Sequence, residues 1–156
     1  MTHFVLLSVA ICCVVGVMIG ARLLLLARRS GEMPELLVGT GIFVYAGLAL
    51  PLLVVQGLPG LPSSVYQIVQ AGEQMAVIVT LGTILAFTWR VFRPDAPWAR
   101  TLTLGLTAVA AIASTGIVVM RMSPVAAQNR EQMVPCVSTL VACFALAFLW
   151  TGIEAL

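Results

Sequence analysis

Glu73 is the one acid well inside an apolar run of this 156-residue chain, eight residues from the start of the stretch Val65–Trp89. Gln67, Gln70 and Gln74 stand at i, i+3 and i+7, so on a helix they form with Glu73 a single polar stripe turned toward other helices. A carboxyl flanked by carboxamides can hold a proton, a cation or a hydrogen-bonding solute, and an ionisable group in an apolar span is by default a candidate site. The opposing reading is glue, because Gln, Ser and Thr bridge neighbouring helices in many bundles with no ligand present. Helical rise places Glu73 about 12 Å below the nearer boundary of its span. On the same count Cys12, Cys13, Tyr45, Ser114, Thr115 and Cys143 fall at roughly 8–16 Å. The candidate binding residues are therefore Glu73, Gln70, Gln74, Gln67 and Tyr45. The carboxyl is expected either as the neutral acid or paired with Arg121 reaching inward. Thr40, Thr80, Thr83, Thr103 and Thr107 fall in the opposite half and argue against a one-sided cavity.

Other chemistries lack their residues. HExxH, GxSxG and Walker signatures are missing, and the sole histidine, His3, sits near the N-terminus, so no catalytic residue is assigned and the chain is expected to be no enzyme. With no Lys there is no retinal Schiff base, and with one His there is no paired-His haem. Cys136 and Cys143 share a helical face, but no CxxC or Cys/His ligand spacing occurs. Met120, Met122 and Met133 with His3 could attract copper; they read instead as apolar filling, and no metal or cofactor is expected. Ala10-Ile11-Cys12 is a poor match to a lipidation motif.

The residues that position this stripe are overwhelmingly oily. Hydrophobic residues make up 61 % of the chain, charged ones 9 %, and the mean hydropathy is +1.10, against about 45–50 % apolar and a quarter charged in soluble domains. Such a composition excludes disorder, a disulfide scaffold and nucleic-acid binding. Five apolar runs, 4–26, 36–55, 65–89, 101–120 and 136–156, match the roughly 17–25 residues a helix needs to cross a bilayer. Period-2 alternation is missing and an open sheet edge cannot sit in lipid. The expected fold is all-α: one polytopic transmembrane bundle over residues 1–156 with five membrane-spanning helices and the lipid bilayer as its partner.

The connectors carry helix punctuation. Ser30-Gly31 ends the first helix, and Pro34-Glu35 suits the first turn of the second. Leu58-Pro-Gly-Leu-Pro62 is a tight turn, and Ser64 with Gln67 has capping-box spacing. Asp95 in Arg93-Pro-Asp-Ala-Pro97 is a candidate cap; Ser123-Pro124 would open a short interfacial segment before Pro135 and the fifth span. Arg28 and Arg29, with Arg22 close behind, mark the first connector, and Arg90, Arg93 and Arg100 flank the third, whereas the second holds none. The positive-inside rule then places the N-terminus outside and the C-terminus in the cytoplasm. A signal peptide is excluded for the first run, because nothing basic precedes it and the arginines follow it.

Packing signals complete the picture. Ser8, Cys12, Gly16 and Gly20 recur every fourth residue, as do Gly72, Ala76 and Thr80, giving faces for close helix approach within the chain or in a homo- or hetero-oligomer. Pro51 would clash with the carbonyl of Gly47 and bend the second span. The fifth run ends at Trp150-Thr-Gly-Ile-Glu-Ala-Leu156 with no basic flank, which suggests a truncated chain or a bundle completed by a partner.

Arg28-Arg29-Ser-Gly-Glu-Met-Pro34-Glu35-Leu-Leu-Val-Gly39, then Gly47-Leu-Ala-Leu-Pro51, and Phe87-Thr-Trp-Arg-Val-Phe-Arg-Pro94-Asp-Ala-Pro-Trp98-Ala-Arg100 resemble a family of uncharacterised bacterial inner-membrane proteins of seven helices. The resemblance spans all five runs and implies two further C-terminal helices; it assigns no activity and gives Glu73 no role. A non-enzymatic membrane module, sensory, accessory or part of an assembly, is the expected function. The alternative is a small-solute or proton-linked transporter using the Glu/Gln stripe.

Overall fold

The computed structural model describes residues 2–58, 60–122 and 130–156, with side chains for 6–58, 60–121 and 133–156. The chain is an all-α bundle of five helices long and apolar enough to cross a membrane. We label them α1 (Thr2–Ser30), α2 (Met33–Gln56), α3 (Ser63–Phe92), α4 (Pro97–Met122) and α5 (Arg130–Glu154). The first four extend past both ends of their apolar runs, whereas α5 begins earlier than its run and ends at Glu154, two residues short of it. The end carrying Gly57 and Gly60 is called upper here, and the end carrying the Arg93–Ala96 connector lower.

Local chemistry sets most boundaries. Gly31 stops α1 at φ +72°, and Gly60 turns the chain at φ +84°, a left-handed region that glycine enters without steric cost. Pro34 and Glu35 occupy the first turn of α2 as expected. Two expectations are corrected. No side-chain cap forms at the start of α3, whose N-cap is Pro62, so Ser64 and Gln67 make no capping box. Nor does α5 begin after Pro135: the helix starts at Arg130 and carries that proline inside it. The proposed Ser123-Pro124 segment lies outside the described residues.

Pro51 leaves α2 continuous by a means the sequence did not suggest. Residues Tyr45–Ala49 form a π turn in which Leu50 N–H bonds to Tyr45 O. The wider turn relieves the clash that a proline ring would make with the carbonyl four residues back.

α3 is the hub, packing on α2, α4 and α5, while among the described residues α1 packs on α2 alone. Glycines set the α1–α2–α3 approach. A Cβ at Gly16 would collide with Ala46, one at Gly20 would lie 2.7 Å from Phe43 N, and one at Gly41 would lie 2.6 Å from Thr83 Oγ1. On the other side Leu81 and Leu85, both fully buried, build the core with Ala99, Ala110, Cys143 and Ala147. Threonines are tolerated because most close on their own helix: Thr40, Thr80, Thr107 and Thr115 each donate to the carbonyl four residues back at 2.7–2.9 Å, and one of Thr88 and Thr151 does the same while the other donates across to it.

Candidate functional site

α3 carries the polar stripe in its upper half. Tyr66, Gln70 and Gln74, spaced four apart, continue upward the face that Leu81 and Leu85 present to α4 and α5. Glu73 lies beside that face and is half-buried. Gln74 Nε2 donates to Glu73 Oε2 at 2.8 Å. Gln70 is 1 % exposed.

The facing helix is positioned by an antiparallel register. Thr103 Oγ1 donates to Leu85 O at 3.4 Å, Thr107 lies against Gly82, and Arg121 Nη1 donates to Tyr66 OH at 3.0 Å. These pairs place Ser114 level with Glu73, Gln74 and Met75. Thr103, Thr107, Ala110, Ser114, Ile117 and Arg121 recur at alternating steps of four and three, one α4 face turned to α3. Ser114 is 1 % exposed. The buried atoms Gln70 Nε2, Gln74 Oε1 and Ser114 Oγ have no hydrogen-bond partner among the described residues.

The sequence-predicted residues are thus only partly brought together. Gln70, Gln74, Glu73 and Ser114 share the upper half of the α3–α4 region, with Gln67 half-buried near its top. Tyr45 stands apart: it opens the π turn of α2 and lines an apolar cavity of about 800 Å³ bounded by α1, α2, α3 and α5. Cys12 also lines that cavity, and Cys143 sits in the core beside Leu81. Arg121 is taken by Tyr66 rather than by Glu73, which lies two turns deeper.

Sequence reasoning passed over the lower end. Arg93 Nε donates to both carboxylate oxygens of Glu154 at 3.0–3.1 Å, and Trp150 Nε1 donates to Glu154 Oε1 at 3.3 Å. Thr88 and Thr151 share a hydrogen bond of 2.7 Å, and Trp98 packs on Trp150 with ring centroids 5.8 Å apart. The available signal was Glu154, an acid near the end of an apolar run, four residues after Trp150. These contacts clamp α3, α4 and α5 at the interface and converge on no reactive group.

Compared with known protein families, curated proteins and solved structures, the chain matches none.

Proposed function

We propose that the chain is a non-enzymatic multi-pass module of the bacterial inner membrane, an accessory or assembly component. The observation that carries this reading is where its polar groups go. Threonines bond to their own helices, Arg93 and Arg121 join helix to helix, and the cavity of about 800 Å³ is lined by groups such as Val38, Ile84, Phe87, Phe144 and Phe148. Of its polar lining groups, Thr80 and Thr151 are hydrogen-bonded within the bundle, which leaves a wall that is mainly apolar and suited to packing rather than to orienting a polar substrate. Membership of the seven-helix bacterial family is part of the same proposal, supported by the PELLVG and FRPDAPWA stretches, as is association with another copy or a different membrane protein. The arginine bias supports an N-terminus outside and a C-terminus in the cytoplasm.

Orientation has a direct test. In a chain whose four cysteines are replaced, Gly60→Cys should react with an impermeant maleimide on intact spheroplasts and Asp95→Cys only after permeabilisation. Labelling of both from one side would overturn the topology.

The transporter reading retains one supporting observation, the buried Gln70 Nε2 and Ser114 Oγ, which have no hydrogen-bond partner among the described residues. Liposomes enclosing a pH dye separate the two. The module reading expects an imposed pH gradient to decay at the protein-free rate with both the native chain and Glu73→Gln. Faster decay with the native chain, abolished by Glu73→Gln, would replace it with a proton-linked carrier.

A further inference from the structure

The upper half of the α3–α4 interface contains three polar atoms that burial has separated from solvent without pairing them with any described residue. Gln70 Nε2 is a donor, Gln74 Oε1 an acceptor, and Ser114 Oγ both. Buried polar groups are ordinarily hydrogen-bonded, and three exceptions on one interface need a common explanation. Ser114 lies on the α4 face turned to α3, level with Gln74, and Gln70 lies one helical turn above on the same α3 face.

The mix of groups selects the ligand. A cation would satisfy Gln74 Oε1 and be repelled by the Gln70 amide hydrogens; an anion would do the reverse. Water donates and accepts, and an internal water typically makes two to four hydrogen bonds to groups of this kind. We infer that the upper α3–α4 interface is a water-binding site walled by Gln70, Gln74 and Ser114, which reaches Glu73 through the Gln74 amide. Gln74 is the coupling piece: its Nε2 holds Glu73 Oε2 while its Oε1 is left for the water. Tyr66 and Arg121 stand one turn above Gln70, hydrogen-bonded to each other, and form the polar top of the same ladder. The glutamate thereby contacts water through the bundle rather than through lipid. This goes beyond the module reading and is independent of which side of the membrane the upper end faces.

Water-edited solid-state NMR on the full chain in bilayers of deuterated lipid, with ¹⁵N glutamine and leucine, tests it. Water magnetisation should build up at the Gln70 and Gln74 side-chain amides on the time course seen for Gln67, well ahead of the Leu81 backbone amide. Ser114→Ala should slow build-up at Gln74 several-fold and leave Gln67 unchanged. The native-chain comparison decides by itself if that variant fails to fold. Gln70 and Gln74 tracking Leu81 would overturn the inference. So would a Ser114→Ala chain, with an unshifted Leu81 resonance, in which Gln74 is unaffected, since that would leave no shared water.

Discussion

Gly20→Leu is expected to release α1 from the rest of the bundle while α3, α4 and α5 stay packed. A Cβ at Gly20 would lie 2.7 Å from Phe43 N, 2.8 Å from its Cβ and 2.9 Å from its Cα. Two of those are backbone atoms of a helix and cannot rotate away, so the two axes must separate. Overpacking of this kind costs about 1–3 kcal/mol, about fivefold to 150-fold in the associated population. The loss is concentrated on α1 because among the described residues α1 packs on α2 alone. In lipid, helix association draws on van der Waals contact rather than on hydrophobic transfer, so separated axes regain little elsewhere. The readout is a disulfide between Val17→Cys and Gly47→Cys, positions where a Cβ at Gly47 lies 3.4 Å from Val17 Cγ2. It should form readily in the otherwise native chain and fall about tenfold with Gly20→Leu. Gly105→Leu, where a Cβ meets nothing within 4 Å, is the matched control. Equal cross-linking in all three would show that Gly20 does not set the approach.

Leu85→Ala should be the most damaging truncation of the core. Its side chain is fully buried where α3 meets α4 and α5, among Leu81, Ala99, Ala110, Ala147 and Trp150. Ala99, Ala110 and Ala147 make up much of the facing surface, and the larger Trp150, Leu106, Leu140 and Phe144 are already packed in the same cluster, so the space is refilled only at the cost of their own contacts. Leu→Ala in soluble cores costs about 2–5 kcal/mol through transfer and cavity terms. For a chain whose unfolded reference also lies in lipid the transfer part shrinks, so about 2 kcal/mol is expected, from lost packing. Leu104, exposed on α4, supplies the comparison: Leu104→Ala should stay within about 0.5 kcal/mol of the native chain. Unfolding by SDS titration, followed through Trp98 and Trp150, measures both. Equal effects would place the core elsewhere.

Both expectations depend on an asymmetry in how the helices are held. The α3–α4–α5 unit has a buried leucine core, a carboxylate–guanidinium contact at Arg93–Glu154 and a hydroxyl pair at Thr88–Thr151. The Arg93 side chain is 54 % exposed, so this ion pair adds little stability and acts mainly to fix register. The α1–α2 pair has small residues and close backbone approach instead. A cavity lined from both sides separates α1 from α5. Movement of α1 would therefore change that cavity without breaking a polar contact of the lower clamp.

The glutamine stripe shows how far a one-dimensional reading carries. Spacing put Gln67, Gln70, Glu73 and Gln74 in one stripe of α3; in the fold Gln70 and Gln74 lie on the face turned to α4 with Glu73 beside it, and the α3–α4 register brings Ser114 to their level. The same arithmetic put Tyr45 and Cys143 in that layer, yet one lines the apolar cavity between α1, α2, α3 and α5 and the other sits among core leucines. Depth follows from residue number along a straight rod, but lateral direction depends on which neighbour each rod meets. The π turn at Tyr45–Ala49 rotates the face of α2 below Pro51, and hydropathy has no term for it.

Composition and run length alone determined that this polypeptide is a set of five apolar helices, because the need to satisfy every backbone group within lipid leaves no other form. Tertiary structure decided which faces meet: that Gly16, Gly20 and Gly41 are consumed inside the chain, that Arg121 goes to Tyr66, and that Glu154 closes on Arg93. Those choices turn on contacts between residues tens of positions apart. Hydrophobicity is summed along the chain and can be read locally, whereas close packing is a condition on pairs and exists only once the helices are side by side.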